Sequence, residues 1–289
     1  MVGLKWIISE VEIQQIVELE DAGKLIQSTW KEATREKVKQ ISWLYPNFAD
    51  RNGNLASYVQ SFLIKSEGKN ILIDTCNGNN KTRTDLPEWQ NLKTDFLSEF
   101  RATGVKENEV DFIICTHLHC DHVGWNTKHE KGKWVPTFPQ AKYLFVRKEF
   151  DYWSKKPEKE MLADKQAFDD SVKPIVEAGL AEVVESNHRV DQNIRLRLTI
   201  GHTPGHVSVV IESKGKRALI SGDFIHHPIQ LAYPLWTMDA DVLPDEAVNT
   251  RQQLLNELAD SDTLLIGSHF SNPVAGLVKK KNGGFIFKV

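Results

Sequence analysis

Apolar and polar residues alternate along the chain in short stretches bounded by turn residues, and this pattern predicts many short strands. The predicted strands are Tyr58–Ile64, Ile71–Asp74, Val110–Cys115, Lys142–Val146, Ala181–Glu185, Ile194–Ile200, Val207–Glu212, Arg217–Ser221 and Thr263–Ile266. The first two flank the turn residues Glu67-Gly68-Lys69-Asn70, which predicts a hairpin.

Helical periodicity lies between these strands. Leu92, Phe96 and Phe100 recur every fourth position and predict a helix that ends near Gly104. Residues 159–179 are helical in pattern and rich in charge, so they either cover a functional site or pack outside the fold. A further helix is predicted from Pro244 to Leu258, with Pro in its first turn and Asp241 as one possible cap. Strands that alternate with helices predict the α/β class.

The chain is long enough for one large domain. Its 289 residues are 40% hydrophobic and 26% charged, and neither a repeat nor a Pro/Gly-rich linker divides them. We therefore expect residues 1–289 to form a single domain. The first ~50 residues, with Trp6, Trp30, Trp43 and Tyr45, add either a strand pair or a dimer arm, so a homodimer is possible.

Charge and composition exclude several classes of partner. The formal net charge is −3 and the basic residues are dispersed, which argues against a nucleic-acid substrate. The basic run Lys279-Lys280-Lys281 precedes Asn282-Gly283-Gly284 and predicts a solvated turn. No long apolar segment predicts a membrane span or a secretion signal, so we expect no membrane partner and a cytoplasmic protein. Cys76, Cys115 and Cys120 are odd in number, which favours reduced thiols.

Three imidazoles and one carboxylate lie within six residues in the segment His117-Leu118-His119-Cys120-Asp121-His122. All four are metal-ligand types. Because side chains alternate along an extended chain, His117 and His119 can share one side, and the turn at Asp121 and His122 supplies a neighbouring set. The sequence therefore predicts two adjacent metal positions.

Further candidate ligands follow predicted strand ends. Gly201-His202-Thr203-Pro204-Gly205-His206 is a tight bend that we expect to present His206, and Gly222 allows a sharp turn before Asp223. His269 follows the last apolar run. We interpret His202 as a structural or supporting histidine rather than a ligand, and Cys120 as a packing residue.

These motifs, in this order, resemble the metallo-β-lactamase superfamily: His-x-His-x-Asp-His, Gly-His-Thr-Pro-Gly-His, a Gly-Asp after a strand and a late strand-end His. The resemblance spans roughly residues 58–270 and implies an α/β fold of the four-layer αβ/βα sandwich type. It implies a first metal at His117, His119 and His206, a second at Asp121, His122 and His269, and Asp223 as the bridge. Asp74 matches a supporting position. Zinc is the expected metal, although iron, manganese and cobalt use the same ligand types.

The same resemblance implies hydrolysis by a hydroxide shared between two divalent metal ions, with Asp121 and Asp223 accepting or relaying the proton. The segment Gly222–Pro228 is similar to the branch that contains N-acyl-homoserine lactonases and methyl parathion hydrolases. Many of those lactonases have a tyrosine three residues after the bridging aspartate, where this chain has His226, which can still donate to the carbonyl oxygen or the leaving group. A lactone or related ester, such as an N-acyl-homoserine lactone, is the expected substrate.

Three alternatives stay open at this stage. The first is a phosphotriester or aryl-ester hydrolase of the same branch. The second is a mononuclear iron persulfide dioxygenase, and the third is a non-catalytic effector-binding protein that keeps the fold. The role of His227 also stays open, and Trp125, Trp153, Trp236 and Phe270 are candidates for an apolar pocket wall.

Overall fold

Two β-sheets face each other in this protein, whose computed structural model describes residues 3–20, 23–281 and 283–289. The strands of the first sheet are β1 (Lys5–Ile8), β2 (Val11–Leu19), β3 (Val59–Ser66), β4 (Lys69–Ile73), β5 (Phe112–Ile114), β8 (Lys142–Val146) and β9 (Ala181–Val184). A separate hairpin comprises β6 (Thr127–Glu130) and β7 (Lys133–Pro136). The strands of the second sheet are β10 (Ile194–Leu198), β11 (Val207–Ser213), β12 (Lys216–Ile220), β13 (Leu264–Ile266), β14 (Ala275–Lys281) and β15 (Gly284–Lys288).

The helices are short except for the last. They are α1 (Gly23–Ser28), α2 (Arg35–Lys39), α3 (Phe96–Ala102), α4 (Cys120–Val123), α5 (Arg147–Trp153), α6 (Leu162–Ala167), α7 (Lys173–Glu177), α8 (Ile229–Ala232) and α9 (Pro244–Ala259). A π-helix, Phe168–Val172, joins α6 to α7. Among the described residues, no helix combines the length and apolar character needed to span a bilayer.

Alternating side chains divide each sheet between two apolar clusters. In β11, Val207, Val209 and Ile211 join residues such as Phe62 and Ile64 of the first sheet in a cluster composed of sheet residues. Val210, on the opposite face of β11, belongs to the cluster that contains the helical side chains. The order is therefore helix, sheet, sheet, helix, and the predicted α/β fold is confirmed.

The first residues of the chain extend the first sheet. β1 pairs antiparallel with β2, and β2 pairs antiparallel with β3. The predicted strand pair is thus present, and the dimer arm stays a prediction. At the other end, the basic run Lys279–Lys281 forms the end of β14 and pairs with β15 instead of forming the predicted turn. Asn282 lies outside the described residues.

Candidate metal centre

The predicted ligands lie where strands of both sheets end. β4 and β5 are parallel neighbours in the first sheet, and β12 and β13 are parallel neighbours in the second. Because the carboxyl ends of parallel strands meet at one sheet edge, the residues that follow them come together. These residues are Asp74 after β4, His117 and His119 after β5, Asp223 after β12, and His269 after β13. A hydrogen bond from the N–H of Tyr58 to the carbonyl of His269 (3.0 Å) connects the two edges.

The first histidine motif changes from extended chain to helix within a few residues. His119 has extended backbone angles (φ −68°, ψ 158°) and immediately precedes α4. Asp121 and His122 lie inside α4. As the sequence predicted, the motif therefore supplies one donor set from extended chain and a second, adjacent set from a helical turn.

The imidazole and carboxylate donors form overlapping groups, and the donor atoms of each group lie within 4.8 Å of one another. The groups are His117, His119 and His202; His117, His122 and Asp223; Asp121, His122 and His269; and His202, Asp223 and His226. One atom, Oδ2 of Asp223, lies close to Nε2 of several histidines. The distances are 3.1 Å to His226, 3.3 Å to His269, 3.4 Å to His122, 3.5 Å to His202 and 3.9 Å to His117.

Several of these atoms are buried without a hydrogen-bond partner among the described residues. They are Nε2 of His117, Oδ1 of Asp223 and both ring nitrogens of His226. An unsatisfied buried polar group costs about 1–3 kcal/mol, so such a concentration indicates a ligand site. Imidazole and carboxylate donors suit zinc, iron, manganese and cobalt. The residues present therefore fit a divalent cation.

The protonation states also suit a cation. Burial lowers the pKa of His117 and His202 well below the usual value, which keeps both rings neutral with a lone pair free to bind. Burial opposes ionisation of Asp223, but His269, His122 and His226 hold its pKa well below the ordinary range. Burial lowers the pKa of His122, but the carboxylates of Asp223, Asp121 and Asp74 outweigh it and raise this pKa well above the usual value. A cation bound to His122 would therefore displace the ring proton.

Three histidines are oriented by acceptors behind them. Asp74 accepts from Nδ1 of His122 (2.9 Å), Asp241 faces Nδ1 of His202 (2.9 Å), and the carbonyl of Tyr58 faces Nδ1 of His269 (2.8 Å). An acceptor on Nδ1 fixes the tautomer and leaves the Nε2 lone pair directed at the cluster. Asp74 thus occupies the supporting position that the sequence predicted.

The two histidines of the Gly-His-Thr-Pro-Gly-His motif are placed differently from the sequence interpretation. Nε2 of His206 accepts the N–H of Asp223 (2.6 Å), and its Nδ1 lies 2.7 Å from Oγ1 and 3.0 Å from the carbonyl of Thr199. Both ring nitrogens of His206 are therefore engaged within the protein, and His206 belongs to none of the close donor groups found among the described residues. His202 does belong to them, with Nε2 2.9 Å from Nδ1 of His119.

His206 therefore stays a predicted ligand: in the structure it supports the turn at Asp223, whereas His202 lies among the close donor groups. Gly222 shows how close that support is, because it has a positive φ (53°) and a Cβ there would lie 2.5 Å from Nε2 of His206. His206 directly precedes β11, whereas His202 lies four residues earlier in the same loop.

A cleft opens above the donor groups and has an apolar wall. Its floor comprises His119, Cys120, Asp121, Asp164, His202, Asp223, His226 and His269. Its wall comprises Leu25, Ile26, Thr29, Leu86, Trp89, Met161, Met238 and Ala240. Among the described residues that line the cleft, none is Lys or Arg.

The aromatic residues that the sequence suggested as a wall lie elsewhere. Trp125 stacks on Phe96, and Phe270 packs between Phe48 and Phe287. Trp153 is buried behind His119, and Trp236 stacks on Tyr233. That prediction was wrong, because large aromatic side chains fill core and cleft positions alike and their sequence positions do not distinguish the two. Trp89, Leu25 and Met161 line the cleft instead and were not predicted.

The two histidines after Asp223 have separate environments. His226 lies on the cleft floor, whereas His227 is buried with Nε2 2.8 Å from the carbonyl of Phe48 and Nδ1 accepting the N–H of Ile229 (3.0 Å). His227 therefore joins the N-terminal region to the second sheet. Cys120, also buried, donates its backbone N–H to Asp164 (2.9 Å).

One end of the charged helical segment, residues 159–179, lines the cleft. Asp85 accepts the N–H groups of Leu162 and Ala163 (2.7 and 2.8 Å) at the start of α6, and carboxylates are favourable at a helix N-terminus. Arg83 donates to both carboxylate oxygens of Asp170 in the π-helix (2.7 and 3.2 Å). Residues 83–85 and α6 are thereby fixed together, and Met161 with Asp164 lines the cleft.

Comparison with known proteins agrees with this architecture. The family model of the metallo-β-lactamase superfamily matches residues 55–269. An N-acyl homoserine lactonase from Bacillus cereus is 25% identical over 175 residues, which cover 56% of this chain and 62% of that lactonase, less than two thirds of its length. The structure of the hydrolase AbOPH of the β-lactamase superfamily superposes with a TM-score of 0.82 at 22% identity, covering 100% of this chain and 98% of that one. The structure of AidC, a dizinc quorum-quenching lactonase in complex with the product N-hexnoyl-L-homoserine, gives a TM-score of 0.77 at 23% identity, covering 99% and 97%.

The fold and the family match place this chain in one class. It belongs to the metallo-β-lactamase superfamily.

Proposed function

We propose that this protein is a dinuclear metal-dependent hydrolase that opens a lactone or a related uncharged ester. The observation that carries the proposal is the position of Asp223, whose Oδ2 lies between two donor sets. We assign the first cation to His117, His119 and His202. We assign the second cation to Asp121, His122 and His269, and Asp223 would be a ligand of both cations. Zinc is the proposed metal, supported by the dizinc description of AidC.

When bound, two divalent cations polarise the scissile carbonyl and lower the pKa of water. The chain's own groups supply the remaining proton transfers. Oδ1 of Asp223 has no hydrogen-bond partner among the described residues and is available to accept the proton of the attacking water. Asp121 lies on the cleft floor with Oδ2 3.5 Å from Nε2 of His269 and can relay it. His226 faces the cleft with Nε2 3.1 Å from Oδ2 of Asp223, and it donates to the carbonyl oxygen or the leaving oxygen.

The cleft lining supports an uncharged substrate with an apolar group. A substrate carboxylate or phosphate would meet Asp121, Asp164 and Asp223, and no Lys or Arg among the described lining residues would balance its charge. Leu25, Trp89 and other apolar wall residues instead suit an acyl or aryl group. N-acyl-homoserine lactones combine a neutral ring with an apolar chain, and the names of the Bacillus cereus lactonase and AidC favour this substrate.

A hydrolysis screen with metal analysis tests the proposal. Purified protein would be supplied with Zn, Mn or Co and assayed on homoserine lactones, simple lactones, aryl esters and phosphotriesters. We expect two equivalents of metal and the highest kcat/KM on a lactone. Preference for phosphotriesters or aryl esters would replace lactone as the substrate class. One iron per chain, or turnover of none of these compounds at full metal content, would overturn the proposal.

His226 offers a test of the acid role. His226→Ala is expected to lower kcat by about 10²–10⁴-fold, the usual contribution of a positioned acid or base, while metal content stays at the wild-type value. His129, which is exposed and packs on Trp134, provides the control His129→Ala, for which unchanged kinetics are expected. Loss of metal from the His226 variant would instead make His226 a ligand.

A further inference from the structure

Glu149, in α5, is a buried carboxylate that bonds to both loops that carry the first proposed cation site. Its Oε1 accepts the N–H of Leu118 (3.1 Å) and Nε1 of Trp153 (2.7 Å). Its Oε2 accepts Oγ1 of Thr203 (2.7 Å) and the N–H of Gly205 (2.9 Å). Only 1% of Glu149 is exposed, so these bonds replace its hydration.

The donors to Glu149 are neighbours of the proposed ligands. Leu118 lies between His117 and His119, and Thr203 directly follows His202. One carboxylate therefore connects two loops that are far apart in sequence, on the side away from the cleft. The loops approach α5 so closely that a Cβ on Gly205 would lie 2.2 Å from the backbone nitrogen of Glu149.

The same helix also contacts a ligand ring directly. Trp153, one turn after Glu149, packs edge to face against His119 with ring centroids 5.3 Å apart. The Trp153 ring is held by its bond to Glu149 (2.7 Å). α5 thus fixes His119 through the ring as well as through the backbone of Leu118.

The second proposed cation site has different supports. His122 is held by Asp74, and His269 is held by the carbonyl of Tyr58. Neither support bonds to Glu149 in the described structure. Loss of Glu149 contacts should therefore affect the two sites unequally.

We propose that Glu149 is a positioning residue that holds the His117–His119 segment and the loop of His202 and His206 at the spacing the first cation needs. This inference rests on the proposed dinuclear function. Glu149→Gln tests it because the amide has one acceptor oxygen, whereas four donors face the carboxylate. The amide N–H₂ would face two of the four donors without accepting a hydrogen bond from them, and these buried donors would be left unsatisfied.

Glu18 supplies a matched control outside the two ligand loops. Its carboxylate also accepts four bonds, from the N–H groups of Asn77 and Gly78, Oγ1 of Thr94 and Nε1 of Trp125. None of these donors is next to a proposed ligand in sequence. Glu18→Gln should therefore lower stability in the same manner as Glu149→Gln without changing cation affinity.

The measurement is a zinc titration of the metal-free proteins in competition with a chromophoric chelator, accompanied by thermal unfolding. Wild type and Glu18→Gln are expected to bind two zinc ions. In Glu149→Gln, we expect the affinity for one zinc ion to fall by about 10–100-fold, as for other groups that orient metal ligands, while the other changes by less than about 3-fold.

Equal loss of both zinc ions, or no loss of either, would overturn the role of Glu149. If Glu149→Gln does not fold, Thr203→Val removes one bond to Oε2 at nearly constant volume. Its expected shift is in the same direction and smaller, and an unchanged first affinity in that variant would also overturn the proposal. Wild type that binds fewer than two zinc ions would overturn the dinuclear function instead, so the two failures are distinguishable.

Discussion

Asp223→Asn is expected to lower kcat/KM by at least about 10³-fold and to reduce bound metal to one equivalent or less, because it removes the shared anionic donor. A loss of this size corresponds to about 4 kcal/mol of transition-state stabilisation. The amide has nearly the same shape as the carboxylate, so the cleft should keep its form. However, it carries no charge, and its N–H₂ would face imidazole nitrogens that lie 3.1–3.5 Å from Oδ2. Steady-state kinetics with metal analysis of the same sample measures both effects.

An exposed aspartate provides the control for that substitution. Asp169 pairs with Lys156 on the surface (2.6 Å), and exposed pairs contribute only about 0–1 kcal/mol to stability. Asp169→Asn should leave turnover and metal content unchanged. Full metal content and unaltered turnover in the Asp223 variant would contradict the assignment of Asp223 as the shared ligand.

Local features of the site could be predicted from the sequence because they depend on contiguous residues. The donor spacing at His117–His122 needs only the change from extended chain to α4, and a strand-end position brings Asp223 and His269 to the same edge. The hairpin of β3 and β4 is also local, with Glu67 and Gly68 in its turn at positive φ (48° and 75°).

The cleft wall could not be predicted, because its residues come from separate segments without a common pattern. Leu25 lies in α1, Trp89 is the last residue of a short 3₁₀ helix, and Met161 precedes α6. Their convergence depends on long-range bonds such as that of Asp85 to the start of α6. Such contacts leave no periodicity in the sequence.

The choice between His202 and His206 shows a signal that the sequence did contain. His206 directly precedes the run Val207–Ser213, whose alternate residues Val207, Val209 and Ile211 face the other sheet. His206 therefore leads directly into β11, with its Nδ1 bonded to Thr199, whereas His202 precedes the bend and lines the cleft. The position of His206 directly before a predicted strand therefore favours His202 as the ligand.

Substitution of each histidine decides between them. His202→Ala is expected to weaken the first cation by about 10²-fold or more and to lower kcat/KM by a similar factor, since it removes a donor and leaves the buried carboxylate of Asp241 without the imidazole that it orients. His206→Ala should instead leave the N–H of Asp223 unsatisfied, which costs about 1–3 kcal/mol of unfolding free energy, while cation affinity falls by less than about 10-fold.

The two variants are compared by zinc competition and by denaturant unfolding of the metal-free proteins, so that affinity and stability are separated. If His206→Ala loses a zinc ion and His202→Ala keeps both, the original assignment of His206 is restored. The structure favours the reverse, because the near neighbours of Nε2 of His202 are themselves candidate ligand atoms, Nδ1 of His119 (2.9 Å) and Oδ2 of Asp223 (3.5 Å). Nε2 of His206 instead accepts a backbone N–H, which cannot bind a cation.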